Sequence, residues 1–179
     1  VGSRHESFAG ARGAGRLEIP VAHISGGDVT GGADDDWFRH CITKMAKLHF
    51  PSCEAYRRGL LRMGEQPDRV FSVGGLGDEN IRSMELLGRA ELERQLGLPQ
   101  GKPYALVTFH PETATHIPPE EQGHRLLEAI AQNPHLFYLF TKANADAGGE
   151  ALNRQLEAFC AKRGNATLYA SLGALRYLS

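Results

Sequence analysis

The sequence predicts an α/β protein built on parallel strands. Short apolar runs that read as strands alternate with helix-patterned segments through both halves of the chain. The helical segments between them are long enough to carry a parallel crossover. The composition is that of a folded globular protein, with 41% hydrophobic and 23% charged residues and no disorder signature.

Taken in order, residues 7–17 (SFAGARGAGRL) read as an Ala/Gly-rich helix, weakened by its glycines. Residues 19–24 (IPVAHI) read as a buried strand. Residues 35–47 place Phe38, Cys41, Ile42 and Met45 on one face at helical spacing. LHF at 48–50 is a further short strand. Residues 52–63 read as a helix with Ser52 as its cap. Residues 69–73 (RVFSV) are strand-like and lead into the glycine turn GGLG, and the chain's best boundary lies near 77–88. Residues 89–96 are a short helix ended by Gly97 and Pro99. Strands at 104–109, 136–141 and 167–170 then alternate with helices at 119–132 and 148–163.

The 179 residues suffice for one ordinary domain or for parts of two. A net charge of −1 offers no broad basic field for nucleic acid or an anionic membrane. The eight histidines are scattered. The three cysteines, Cys41, Cys53 and Cys160, form no C-x-x-C or zinc pattern, and reduced thiols in a cytoplasmic protein are the simplest reading. No apolar run approaches the roughly 18–20 residues that cross a bilayer, and the polar start VGSRHES has no signal-peptide core. The chain does not begin with Met and ends inside the apolar, helix-like run SLGALRYLS, which suggests an internal fragment of a longer protein.

In open α/β sheets ligands bind beyond the carboxyl ends of the strands. Three segments take such positions: Ser25-Gly26-Gly27-Asp28, His110-Pro111-Glu112-Thr113, and Lys142 to Asp146. Beyond the first lies the triplet Asp34, Asp35 and Asp36. It suits a helix cap and dipole, with Asp35–Arg39 and Asp36–His40 as i,i+4 pairs. It equally suits a carboxylate cluster for acid–base work, or a Mg²⁺ site with His23 and Asp28. His110 is either a satisfied loop residue or a contact to phosphate or sugar. Asn144 and Asp146, in NADAG, are turn formers or polar ligand contacts. Gly26-Gly27 and Gly74-Gly75 form tight turns or let backbone approach a ligand. G-x-G-x-x-G, the P-loop and the G-x-S-x-G elbow are all absent, which disfavours a classical nucleotide-dependent oxidoreductase, an NTPase and a Ser/His/Asp hydrolase.

IPVAHISGGDVTGGADDDWFRHCITKMAKLHF resembles the signature of the hydrolysing UDP-N-acetylglucosamine 2-epimerases of the sialic-acid branch. VGSRHE, DRVFSVGGLGDENI, LVTFHPET, TKANADAGG and SLGALRYLS agree with further family stretches in the same order, so the resemblance covers essentially the whole chain. The HVEAGLRT and GHRREN segments of the non-hydrolysing branch are not seen. The resemblance implies a two-domain glycosyltransferase-B-like fold with UDP-sugar between two Rossmann-like domains. Residues 1–83 then correspond to the second half of the N-terminal domain and 84–179 to the first half of the C-terminal one. It implies release of N-acetylmannosamine and UDP through a 2-acetamidoglucal, with no cofactor or metal, and a homo-oligomer when full length.

Matched position by position, the resemblance implies that His110 assists UDP departure. Asp35 and Asp36 match the family's acidic pair, with Asp35 the better catalytic carboxylate. Arg39 orients that pair, Asn144 and Asp146 contact the nucleotide side, and Gly26, Gly27 and Asp28 border the substrate. Two departures matter. The catalytic aspartate of the family's LGDR is Ser3 here, and Ser25 stands where many relatives carry Glu or His. A relative acting on a diacetamido-dideoxy sugar nucleotide and a non-catalytic UDP-sugar-binding remnant are the alternatives.

Overall fold

A computed structural model describes residues 5–31 and 35–179. Ser3 and Asp34 lie outside the described residues. The chain divides into two compact units, Val1–Ser83 and Met84–Ser179.

In the first unit, α1 (His5–Arg16) packs on α2 (Asp35–Met45), and β1 (Ala22–Ile24) runs parallel to β2 (Leu48–Phe50) with His23 opposite His49. β1 is shorter than the predicted 19–24. Pro20 offers no N–H to a ladder, and the Ile19 N–H is taken by the Ala14 carbonyl at the end of α1 (2.9 Å). The strand expected at 69–73 reduces to a bridge between Val70 and His49, extended by bonds from Phe71 N to His49 O and from Val73 N to Pro51 O. α3 (Glu54–Arg62) is capped by Cys53 rather than Ser52, and no side chain bonds across its N-terminus. The Ser52 hydroxyl turns instead to the Asp28 carboxylate (3.2 Å).

The buried face of α2 also differs from the expected one. Arg39, Ile42 and Thr43 are buried, whereas Met45 is exposed. Apolar periodicity misplaced this face because two of its three buried residues are polar and satisfied inside the unit. A helix not foreseen in the sequence, α4 (Leu76–Ser83), follows the glycine turn. Asp78 and Glu79 in its first turn and Arg82 in its last favour its dipole.

The second unit carries a parallel three-stranded sheet ordered β3 (Tyr104–Val107), β4 (Phe137–Thr141), β5 (Ala166–Tyr169). Central β4 is covered on both faces, as a parallel sheet requires. Tyr138 and Phe140 pack with Ile130 of α6 (Pro119–Ala131) and with Leu152 and Leu156 of α7 (Gly149–Ala161). Leu139, pointing the other way, packs with Leu92, Leu96 and Leu98 on and after α5 (Arg89–Leu96), and with Leu172 before α8 (Gly173–Leu178). Burying each such side chain stabilises by roughly 1.5–3 kcal/mol. This packing sets the carboxyl ends of β3 and β4 side by side.

Candidate functional site

The singled-out residues fall into two groups, one in each unit. In the first unit, Ser25 leaves β1 in the left-handed region (φ 62°), with its N–H on the Phe50 carbonyl (2.9 Å). Gly26 and Gly27 are buried, and their smallness has a packing cause. A Cβ on Gly26 would press on the His23 ring. One on Gly27, itself at φ 82°, would meet the Tyr56 carbonyl and Leu60 of α3. The loop beyond them is held by Arg39. Its guanidinium, buried at 6% exposure, donates to the Asp28 carbonyl (2.7 Å), the Thr30 hydroxyl (3.0 Å) and the Asp36 carboxylate. Asp36 also accepts from the Thr30 N–H (3.1 Å). Asp36 therefore pairs with Arg39 at i,i+3 and fixes the loop to α2. Asp35, half-buried one residue earlier, has no hydrogen-bond partner among the described residues. The triplet's two described members thus divide: one is engaged, the other open.

Beneath this loop His23 is buried, with Nδ1 3.1 Å from the Thr43 hydroxyl. Burial, helped by the charges of His49 and Arg39, lowers its pKa to about 4. It is a neutral packing residue at pH 7. His49, 1% exposed, contacts Glu65 through Nε2 (3.1 Å), and Glu65 also pairs with Lys44 (2.6 Å). Burial pushes the His49 pKa down, and Glu65 opposes that shift.

In the second unit, Thr108 directly follows β3 and Thr141 closes β4, and their hydroxyls lie 2.6 Å apart. Two residues beyond Thr108, His110 is exposed, and its Nδ1 faces the Asn144 N–H at 3.5 Å. Gln122 of α6 secures the loop after His110 by bonding both the N–H and the carbonyl of Glu112 (2.8 and 3.2 Å). Asn153 of α7 does the same for Ala143, accepting from its N–H (2.8 Å) and donating to its carbonyl (3.1 Å). The Asn144 side chain accepts from the Asp146 N–H (3.3 Å), closing a turn. An open cleft of about 630 Å³ flanks this loop, lined among others by Asn144, Asp146, Glu150 and Arg154. His110 is not part of its lining. A Cβ on Gly149 would run into the Asn144 carbonyl. Gly149→Ala is therefore expected to displace the Asn144 turn and to cost roughly 1–3 kcal/mol, read as a fall in Tm with loss of the native amide shifts of residues 143–146.

Sequence reasoning missed Thr30, Thr43, Gln122 and Asn153. Only the paired Thr108 and Thr141 left a signal: a threonine near the carboxyl end of each of two predicted strands, 104–109 and 136–141.

The family model described as UDP-N-acetylglucosamine 2-epimerase matches residues 1–179. The chain belongs to this family. Among curated relatives of this epimerase-family chain, the GDP/UDP-N,N'-diacetylbacillosamine 2-epimerase (hydrolyzing) of Campylobacter jejuni is 37% identical over 180 residues, covering 100% of this chain and 47% of the relative. The polysialic acid biosynthesis protein P7 of Escherichia coli is 41% identical over 162 residues, 89% of this chain and 41% of the relative. The chain spans about half the length of the curated relatives it matches. The crystal structure of UDP-GlcNAc 2-epimerase from Neisseria meningitidis bound to UDP-GlcNAc superposes with a TM-score of 0.70 at 17% identity, covering 96% of this chain and 48% of that one. That from Methanocaldococcus jannaschii with UDP-GlcNAc and UDP gives 0.69 at 17%, with 95% and 48% covered. The α/β layers and parallel sheets are thus those of the glycosyltransferase-B-like epimerase fold.

Proposed function

We propose that this epimerase-family chain forms part of a hydrolysing UDP-N-acetylglucosamine 2-epimerase, yielding N-acetylmannosamine and UDP. The single observation that carries the reading is the family match over the entire chain, which includes both loop groups described above. In the proposed reaction a base takes the C2 proton and the C1–O bond breaks, with the electron pair leaving on UDP. Water then adds across the resulting 2-acetamidoglucal, its proton to C2 and its hydroxyl to C1. Asp35, whose carboxylate has no hydrogen-bond partner among the described residues, is the candidate carboxylate. Asp36 and Arg39 hold the loop of Gly26, Gly27 and Asp28 against the sugar. His110 assists UDP departure, and Asn144 and Asp146 take the nucleotide side. Residues 1–83 form the second half of an N-terminal Rossmann-like domain, and 84–179 the first half of a C-terminal one.

The enzyme is cytoplasmic and homo-oligomeric in this reading. The free thiols of Cys41, Cys53 and Cys160 suit a reducing compartment, and no described helix is long and apolar enough to cross a membrane. Light scattering tests the oligomer: a monomer at all concentrations contradicts it.

Product analysis of the protein carrying this sequence tests the reaction. N-acetylmannosamine plus UDP supports it, and UDP-N-acetylmannosamine, or a substrate left untouched by both the native chain and Ser3→Asp, contradicts it. The Campylobacter jejuni relative favours a second reading, a diacetamido sugar nucleotide as substrate. Parallel assays with both sugar nucleotides separate the two through kcat/KM. Ser3 is expected to limit the rate, because a hydroxyl cannot serve as a carboxylate base at neutral pH. Ser3→Asp is expected to raise turnover by about 10²-fold or more, and an unchanged rate sinks that assignment.

A further inference from the structure

We infer that Tyr177 is a positioning residue for the candidate nucleotide site of the second unit, acting through a chain of three hydroxyls. The inference rests on the reading of His110 and Asn144 as ligand contacts. The Tyr177 hydroxyl, on α8, donates to the Thr108 hydroxyl (3.1 Å), which in turn is hydrogen-bonded to that of Thr141 (2.6 Å).

The register explains what this chain does. Val107 and Phe140 are the last paired residues of β3 and β4, so Thr108 and Thr141 are the first pair beyond the ladder's final rung. Beyond them the backbones part into separate loops, one carrying His110 and the other Asn144. The side-chain bond replaces the missing rung, and the spacing it sets is carried to the gap between His110 Nδ1 and the Asn144 N–H. Thr141 is buried (7% exposed), so little water can replace Thr108 as the partner of its hydroxyl. Tyr177 orients the pair. By occupying an acceptor position on Thr108 it leaves the Thr108 proton for Thr141. α8 itself is fastened independently, by buried Leu172 ahead of it and by the Ser179 hydroxyl accepting from the Leu87 N–H (2.9 Å). Removing the tyrosine hydroxyl therefore alters the strand ends without releasing the helix.

Tyr177→Phe keeps the ring and deletes the donor, and Thr108→Val deletes the middle of the chain. Histidine-labelled protein is followed by NMR through the His110 imidazole signal, with His124 and His135, exposed in the same unit, as internal controls. In both variants the His110 signal is expected to move in the free protein while the two controls stay in place; Tm holds in Tyr177→Phe and falls modestly in Thr108→Val, which leaves the buried Thr141 hydroxyl without its partner. UDP binding is expected to weaken about three- to tenfold, as for the loss of one net hydrogen bond. The double variant is expected to bind no worse than Thr108→Val alone, because the two act in series. An unmoved His110 signal with unchanged UDP affinity overturns the inference, as does a general shift of all three histidines with a fall in Tm. Wild-type His110 and Asn144 signals that ignore UDP overturn the nucleotide reading instead. In that case the free-protein His110 signal of Tyr177→Phe alone supports the hydroxyl chain if it moves and refutes it if it does not.

Discussion

Asp35→Asn is expected to lower kcat by about 10²–10⁴-fold while changing stability by less than about 1 kcal/mol. Asp36→Ala is expected to do the reverse in order of importance. Asp35 and Asp36 are consecutive and chemically identical, so their contacts must separate them. The Asp36 carboxylate accepts from Thr30 N and from the buried Arg39 guanidinium. Truncating it takes a carboxylate from a cation at 6% exposure and from a loop amide, for roughly 1–3 kcal/mol of lost stability. Activity then falls as a consequence of the loosened loop. Among the described residues, the Asp35 carboxylate makes no hydrogen bond that an asparagine would lose. Thermal unfolding and steady-state kinetics on both variants, made in the Ser3→Asp background if that is the more active, decide the matter. An active Asp35→Asn beside a stable but inactive Asp36→Ala would exchange the two roles.

Acid is expected to destabilise the first unit as pH falls below 6.5 toward 4. His23 has a pKa of about 4 in the folded unit against an ordinary 6.5. Above pH 6.5 it is neutral in both folded and unfolded chains, and its contribution is fully present. Below 6.5 the unfolded chain takes up a proton that the folded one refuses, so stability falls as pH drops toward 4. The loss from His23 alone is about 2 kcal/mol by pH 5 and on the order of 3 kcal/mol at its limit.

Around it stand the Thr43 hydroxyl and the charges of Arg39 and His49. Around His49 stand Glu65, Lys44 and Arg69. His49, also lowered, adds to the loss, while Glu65 reduces its share. A fall in Tm on the order of 10 °C between pH 7.5 and 5.0 is the expected result. His23→Gln should flatten that slope whatever it does to the absolute Tm. A Tm independent of pH over this range would contradict the buried, neutral state of His23.

The alternation of strand and helix was legible because the elements of the second unit obey period rules closely. FYLFT sends Phe140 and Leu139 to opposite covered faces, and α5 ends at Gly97 in the left-handed conformation (φ 62°) as its sequence predicts. Legibility declined in the first unit, where polar groups do the packing. Arg39 and Thr43 are core residues of α2, and His23 and His49 are core residues of the sheet; no hydrophobic pattern marks them. Ser52 reads as a cap because a serine before a helix usually is one, yet Cys53 takes the N-cap position and the Ser52 hydroxyl donates to the Asp28 carboxylate.

At the candidate site, residue types were legible and their division of labour was not. The spacing of Asp35, Asp36 and Arg39 admits either aspartate as the arginine's partner, and only the backbone of Asp28 and Thr30 selects Asp36. Gly26 and Gly27 read as either turn or ligand-approach glycines; Gly27 takes a positive φ, and His23, Tyr56 and Leu60 leave no room for a side chain at either position.

The most direct measurement is the fate of the C2 hydrogen. The protein carrying this sequence is incubated with UDP-N-acetylglucosamine in deuterated water, and the released sugar is examined by proton NMR. Elimination followed by hydration predicts N-acetylmannosamine with one solvent deuteron at C2, released together with UDP. A released sugar that keeps its protium at C2, the mark of simple hydrolysis at C1, would contradict the account, as would intact substrate with both the native chain and Ser3→Asp.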